Sequence, residues 1–73
     1  MIDQPAPAAI RAARESAALT QTAAAALVGS KLRTWQDWES GTAAINAAAW
    51  ELFLLKTGQH PTVVLSARGI ARR

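Results

Sequence analysis

The sequence predicts a small all-α domain of four to five helices, and it leaves room for one short strand near the C-terminus. Three observations support this prediction. The chain has 73 residues, which suffices for a single domain with a limited core. Alanine accounts for 18 of them, and alanine has the highest helix propensity of the amino acids. Apolar residues recur at helical spacing in segments that are separated by glycines, among them Gly29, Gly41 and Gly58.

The first two predicted helices occupy residues 7–18 and 21–28. Pro7 suits the first turn of a helix, where its missing N–H has no partner to lose. Thr20 is a good N-cap for the second helix. The expected apolar face of that helix consists of Ala24, Leu27 and Val28. Gly29 suits a sharp exit from the helix, because glycine adopts positive φ without a steric penalty.

The third and fourth predicted helices carry all four aromatic side chains of the chain. They occupy about residues 31–39 and 47–56, with Ser30 and Asn46 as their expected N-caps. Aromatic side chains bury large apolar areas. At three-residue spacing on a helix, we interpret them as core residues rather than as surfaces on which bases stack. The expected core residues are Trp35, Trp38, Trp50, Phe53 and Leu54.

The C-terminal residues 61–73 differ in character from the rest. Pro61 interrupts any helix, and the β-branched residues that follow it favour a short strand. Because an exposed strand edge invites pairing, we expect this strand to join its copy in a second chain. The chain is therefore divided into a domain at residues 1–60 and a dimerisation segment with a basic tail at residues 61–73. The expected contact residues are Val63, Val64 and Leu65, with the apolar face of the fourth helix as the alternative.

Composition and charge bear on three classes of function, namely nucleic-acid binding, metal or cofactor binding, and catalysis. Residues 1–65 contain five basic and five acidic side chains, so the net charge of +3 comes from the last eight residues. This charge is compatible with nucleic acid but does not establish it. Without cysteine, and with His60 alone among possible metal ligands, we expect no metal and no cofactor. We interpret His60 as a surface-loop residue. No Ser/His/Asp set has usable spacing, so we expect no enzyme activity.

The sequence also bears on location. No apolar run approaches the roughly 18 residues that span a bilayer, so we expect no membrane partner. The N-terminal residues lack a basic region followed by an apolar one, so we expect no signal peptide. A cytoplasmic protein is the resulting prediction.

One set of residues has the spacing of a known DNA-binding motif. It comprises Leu19-Thr20-Gln21, Ala25, Gly29, Thr34-Trp35, Trp38-Glu39 and Gly41, with 18 residues from Gln21 to Glu39. On these residues the segment 8–57 resembles the lambda-repressor/Cro-like (XRE) helix-turn-helix family. The segments 33–39 and 50–53 are similar to short phage-type regulators such as anti-CRISPR-associated repressors. The resemblance implies a helix-turn-helix domain in which the third helix enters the major groove of double-stranded DNA.

The resemblance also implies which residues touch the bases. The base-reading positions of the family correspond to Leu32, Arg33 and Asp37. Arg33 is the side chain best suited to guanine O6 and N7. Leu32 departs from the usual polar residue, and it suits either a thymine methyl group or packing at the rim. Asp37 is suited to holding the Arg33 guanidinium, to accepting from cytosine N4, or to a plain surface ion pair with Arg33.

Further residues are implied as contacts to the DNA backbone. Gln21 opens the second helix, and the family uses the amide of this residue as a donor to a phosphate. Lys31, Thr34 and Gln36 are expected to contact phosphates or base edges, and Ser40 and Thr42 are expected to contact backbone phosphates. Arg14 corresponds to the family's arginine that pairs with Glu39, and we interpret this ion pair as structural. Breaking such a buried pair is expected to destabilise the fold.

The leading functional prediction is a sequence-specific regulator of transcription that binds double-stranded DNA. One short helix reads only a few base pairs, so a homodimer on an inverted-repeat operator is expected. The resemblance implies an autorepressor of a phage or mobile-element operon that acts by promoter occlusion. Two alternatives remain: an antitoxin that also binds a toxin, and a protein-interaction adaptor that has lost DNA binding.

Overall fold

A computed structural model describes residues 4–60, which form four α-helices. These are α1 (Pro7–Ser16), α2 (Gln21–Leu27), α3 (Leu32–Ser40) and α4 (Ala47–Lys56). The all-α prediction is therefore confirmed. Within the described range, no helix is long and apolar enough to cross a membrane. The expected strand and the dimer contacts Val63, Val64 and Leu65 lie outside the described residues.

Two of the three predicted N-caps are confirmed. Thr20 Oγ1 accepts a hydrogen bond from the N–H of Ala23 at 3.0 Å, and Asn46 Oδ1 accepts one from Ala49 at 2.7 Å. The prediction of Ser30 as a cap is wrong, because α3 begins one residue later and its N-cap residue is Lys31.

Ser30 instead closes the preceding helix. Its N–H donates to the carbonyl of Ala25 at 2.9 Å, while the N–H of Gly29 donates to Ala26 at 3.1 Å. With Gly29 at a φ of 72°, these bonds form a Schellman motif at the end of α2. The Ser30 hydroxyl also points back to α2, where it donates to the carbonyl of Ala25 at 3.4 Å.

The first helix ends earlier than the predicted residue 18. Ala18 has a φ of 58°, and it stands where a glycine usually ends a helix in this geometry. The N–H groups of Ala18 and Leu19 donate to the carbonyls of Glu15 and Arg14, at 2.9 and 3.2 Å. Because alanine is a strong helix former, composition alone extends the helix past its true end.

The core lies between the four helices and is built around aromatic side chains. The ring centroid of Trp35 lies 5.6 Å from that of Trp38 and 5.1 Å from that of Phe53. Burial of Trp35, Trp38, Trp50, Phe53 and Leu54 confirms their prediction as core residues. The last three form the apolar face of α4, and this burial leaves them unavailable for the alternative dimer contact.

Two buried residues were not expected from the sequence. Ile45 precedes α4 and is fully buried, although it belongs to no helical pattern. The placement of His60 on the surface is wrong, because its side chain is only 5% exposed. After Gly58 the chain turns back on α4, and the N–H groups of Gln59 and His60 both donate to the carbonyl of Leu54, at 2.8 and 3.1 Å. This turn brings His60 Nε2 to 3.1 Å from Glu51 Oε2.

Candidate nucleic-acid interface

The second and third helices pack against each other and are joined by four residues, 28–31. A short turn that contains glycine between two packed helices is compatible with a helix-turn-helix. Ala24 and Ala25 are buried on α2, and their small side chains let the helices approach closely. A Cβ on Gly29 would meet no atom within 4 Å, so glycine is required there for its backbone conformation and not for space.

The carboxylate of Glu39 links α1, α2 and α3. Its side chain is 6% exposed, and its Oε2 lies 2.6 Å from Arg14 Nε. Oε1 accepts a second bond from Arg14 Nη2 at 3.2 Å and one from Gln21 Nε2 at 3.1 Å. The indole N–H of Trp35 also donates to Oε2. The structure thus contains the Arg14–Glu39 ion pair that the resemblance implies, and Glu39 holds more partners than expected.

The electrostatics of this cluster favour the charged forms. Burial by itself raises the pKa of Glu39, but hydrogen bonds from Arg14, Trp35 and Gln21 outweigh it and lower the pKa below its ordinary value. The hydrogen bond to Glu39 raises the pKa of Arg14. Arg14 also donates from Nη1 to the carbonyl of Leu19 at 2.9 Å. The ion pair therefore holds α1, the corner after α1, and α3 together.

Gln21, the expected phosphate donor, is tied to this cluster. Its Nε2 donates to Glu39, and its Oε1 accepts from Gln36 Nε2 at 3.4 Å. A primary amide has two N–H donors, so one donor of Gln21 is not used by Glu39. The link between Gln21 and Glu39 was missed by sequence reasoning. Their 18-residue separation belongs to the motif but does not by itself indicate a contact.

The outer face of α3 carries most of the other predicted contacts. Among them, Lys31, Leu32, Arg33, Gln36, Ser40 and Thr42 are exposed, while Thr34 and Asp37 are half-buried. Leu32 is 40% exposed, so its side chain does not pack into the core. The hydroxyl of Ser40, the last residue of α3, lies 2.9 Å from that of Thr42. The structure therefore brings Gln21 and Gln36 together and leaves the start of α3 open to solvent.

Arg33 and Asp37 form an ion pair across one turn of α3. Arg33 Nε lies 3.1 Å from Asp37 Oδ1, and the side chains are 82% and 28% exposed. This contact is compatible both with a hold of Asp37 on the guanidinium and with the plain surface ion pair, which are two of the three interpretations of Asp37. An equivalent pair exists on α1, where Arg11 Nε lies 3.1 Å from Glu15 Oε2.

The cation at the start of α3, Lys31, has no carboxylate partner among the described residues. In residues 4–60, three of the four carboxylates pair with an arginine at 2.6–3.1 Å, and Glu51 lies 3.1 Å from His60 Nε2. Lys56 donates to the carbonyl of Leu27 at 3.0 Å. Lys31 forms no ion pair within the described residues, and its side chain makes no capping bond. A cation at a helix N-terminus opposes the helix dipole, so Lys31 does not stabilise α3.

The site offers no metal centre in the part of the chain that the structure describes, where no group of His, Asp and Glu side chains could hold an ion. No protein-family model matches the chain, and no curated protein matches it. The class defined by fold and site is a small all-α domain with an arrangement of α2 and α3 compatible with a helix-turn-helix.

Proposed function

We propose that this protein is a sequence-specific DNA-binding regulator of the lambda-repressor/Cro-like type, with α3 as its reading helix. The observation that carries the proposal is the division of α3 into two faces. Trp35, Trp38 and Glu39 face the core and the neighbouring helices, while Leu32, Arg33 and Gln36 are exposed. A helix held firmly on one side, with side chains for base edges on the other, suits the major groove.

The charges near α3 support contact with a duplex. Lys31 lacks an acidic partner in the described residues, so it is available to a phosphate. Gln21 lies beside Gln36 and retains one amide donor, which suits a second phosphate contact. Backbone contacts of this kind set the register in which α3 meets the bases.

A single reading helix of nine residues covers too few base pairs for useful specificity. The proposal therefore includes a homodimer on an inverted-repeat operator, with half-sites about 34 Å apart. Val63, Val64 and Leu65 remain the proposed dimer contact, and Arg68, Arg72 and Arg73 add positive charge beside it. Autorepression of a phage or mobile-element operon by promoter occlusion, without enzyme activity, is the proposed outcome.

The adaptor alternative is favoured by one observation. Residues 4–60 contain five basic and four acidic side chains, a net charge of only +1 with His60 neutral, and three of the four carboxylates pair with an arginine. Such a surface attracts DNA weakly over long distances. An adaptor with this fold would use the exposed side chains of α3 for a protein partner instead of a duplex.

The salt dependence of binding to a mixed-sequence duplex separates the two candidates. A DNA-binding protein loses affinity steeply as salt rises, because phosphate contacts release counterions. The Lys31→Gln variant is expected to reduce the slope of log K against log salt by about 1. Arg11→Gln makes the same charge change on α1 and is expected to leave the slope unaltered. Binding that ignores salt, or an equal effect of both variants, would favour the adaptor.

A further inference from the structure

We infer that Arg33 reads a guanine in each operator half-site and that Asp37 is the positioning residue on which this selectivity depends. The inference rests on the proposed function, because it assumes that α3 enters the major groove. It goes further in naming the base and in dividing the task between two side chains. The carboxylate fixes the orientation of the guanidinium, and the guanidinium meets the base.

The atoms that form the ion pair decide which edge of Arg33 remains available. Asp37 Oδ1 bonds to Nε of the guanidinium at 3.1 Å. Nε lies on the side edge of the planar group, so the two terminal nitrogens Nη1 and Nη2 keep their donors. These terminal donors form the parallel pair that matches O6 and N7 of guanine.

Asp37 is the more buried member of the pair, with a side chain that is 28% exposed. Its backbone carbonyl accepts from the N–H of Ala43 and from the hydroxyl of Ser40, both at 3.2 Å. Its neighbour Trp38 is buried in the core. Arg33, in contrast, has four-fifths of its side chain in solvent. The arginine therefore projects further into solvent than the carboxylate that accepts from its Nε.

The Arg33–Asp37 pair also favours binding to a base over general attraction to the DNA backbone. Because Asp37 compensates the charge of Arg33, the pair contributes little to a general attraction toward phosphates. The carboxylate additionally repels a phosphate that approaches the arginine. A guanine edge is neutral and offers two acceptors, so it is the partner that the compensated arginine can still bind. Lys31, which has no such compensation within residues 4–60, is left for the phosphates.

The Arg11–Glu15 pair provides an internal control. It has the same nitrogen, the same spacing of four residues and the same distance of 3.1 Å, but it lies on α1. Its carboxylate is 56% exposed, twice the 28% of Asp37. Glu15→Gln and Asp37→Asn therefore remove the same charge from two different helices and leave only a neutral amide oxygen as the acceptor for the arginine.

The test is selection by the full-length chain from a pool of double-stranded DNA with a randomised centre. We expect the unchanged protein to enrich a guanine at one position of each half-site, with a preference over adenine of roughly 5- to 150-fold. Arg33→Lys keeps the charge but loses the planar fork, and it should weaken the preference at that position. Asp37→Asn should weaken the preference while it strengthens binding to unselected DNA. Glu15→Gln should leave the preference unchanged.

The outcomes separate the inference from the function on which it rests. If Asp37→Asn keeps the full guanine preference, Asp37 is not a positioning residue, although the protein still reads DNA. If Asp37→Asn instead loses a preference for cytosine and keeps the guanine, Asp37 contacts a base directly and the inference is wrong. If the unchanged protein enriches no sequence, the proposed function itself fails. Circular dichroism of each variant verifies that its helices are retained.

Discussion

Replacing Glu39 with alanine is expected to lower the free energy of unfolding by about 3–5 kcal/mol. The structure accounts for this magnitude. The Arg14 guanidinium, with a side chain only 14% exposed, keeps its bond to the Leu19 carbonyl but loses its counter-charge. The buried indole N–H of Trp35 loses its acceptor, which alone destabilises by about 1–3 kcal/mol. Gln21 is half-buried and can turn to water, so its lost bond adds little.

This loss is a large part of the total, because small domains unfold with about 5–15 kcal/mol. Urea unfolding followed by tryptophan fluorescence measures it. Glu15→Ala is the matched control, because it removes an acidic partner of arginine that is 56% exposed and worth less than about 1 kcal/mol. If both variants unfold at the same urea concentration, the cluster around Glu39 does not stabilise the fold and the reasoning is refuted.

Three further predictions concern stability. Because the folded-state pKa of Glu39 is lowered, its contribution is complete above the ordinary value of 4.5 and is lost as pH falls through the folded-state pKa; Glu39→Gln should flatten this acid dependence in thermal melts, and an unchanged pH profile would contradict it. Ala18→Gly should stabilise the domain by about 0.5–1 kcal/mol, because the steric strain that alanine has at a φ of 58° exceeds the destabilising effect of glycine's greater freedom in the unfolded chain. A lower melting temperature would count against the helix end described here. Ile45→Ala should destabilise by about 2–5 kcal/mol, because the isoleucine is fully buried; a change below about 0.5 kcal/mol in urea unfolding would show that Ile45 does not belong to the core.

The features that repeat along the chain were predictable from the sequence. Trp35, Trp38, Trp50 and Phe53 recur at helical spacing, and this spacing correctly placed them in the core. The N-caps Thr20 and Asn46 were predictable from the local sequence alone, because the side-chain oxygen of threonine or asparagine can accept from a free N–H in the first turn of the helix that follows. The Arg14–Glu39 pair came from the family resemblance, since no local rule joins two residues on different helices.

The errors arose where the chain leaves its periodic pattern. Ala18 adopts the left-handed backbone conformation that normally indicates a glycine, so the predicted end of α1 is two residues too late. Both the N–H and the hydroxyl of Ser30 donate to Ala25 at the end of α2, and α3 begins one residue later than expected. Ile45 and His60 are buried by connections, where burial depends on the path of the chain and not on spacing. The hydrogen bond from Gln21 to Glu39 was missed for the same reason, because it forms only when α2 and α3 pack together.

The central claim is that α3 of this protein reads base sequence as part of a dimer. Selection of the full-length chain on random double-stranded DNA tests it most directly. The account predicts an enriched inverted repeat whose half-sites are about one helical turn, or 34 Å, apart. Recovery of no sequence, with only weak binding that disappears as salt rises, would contradict it.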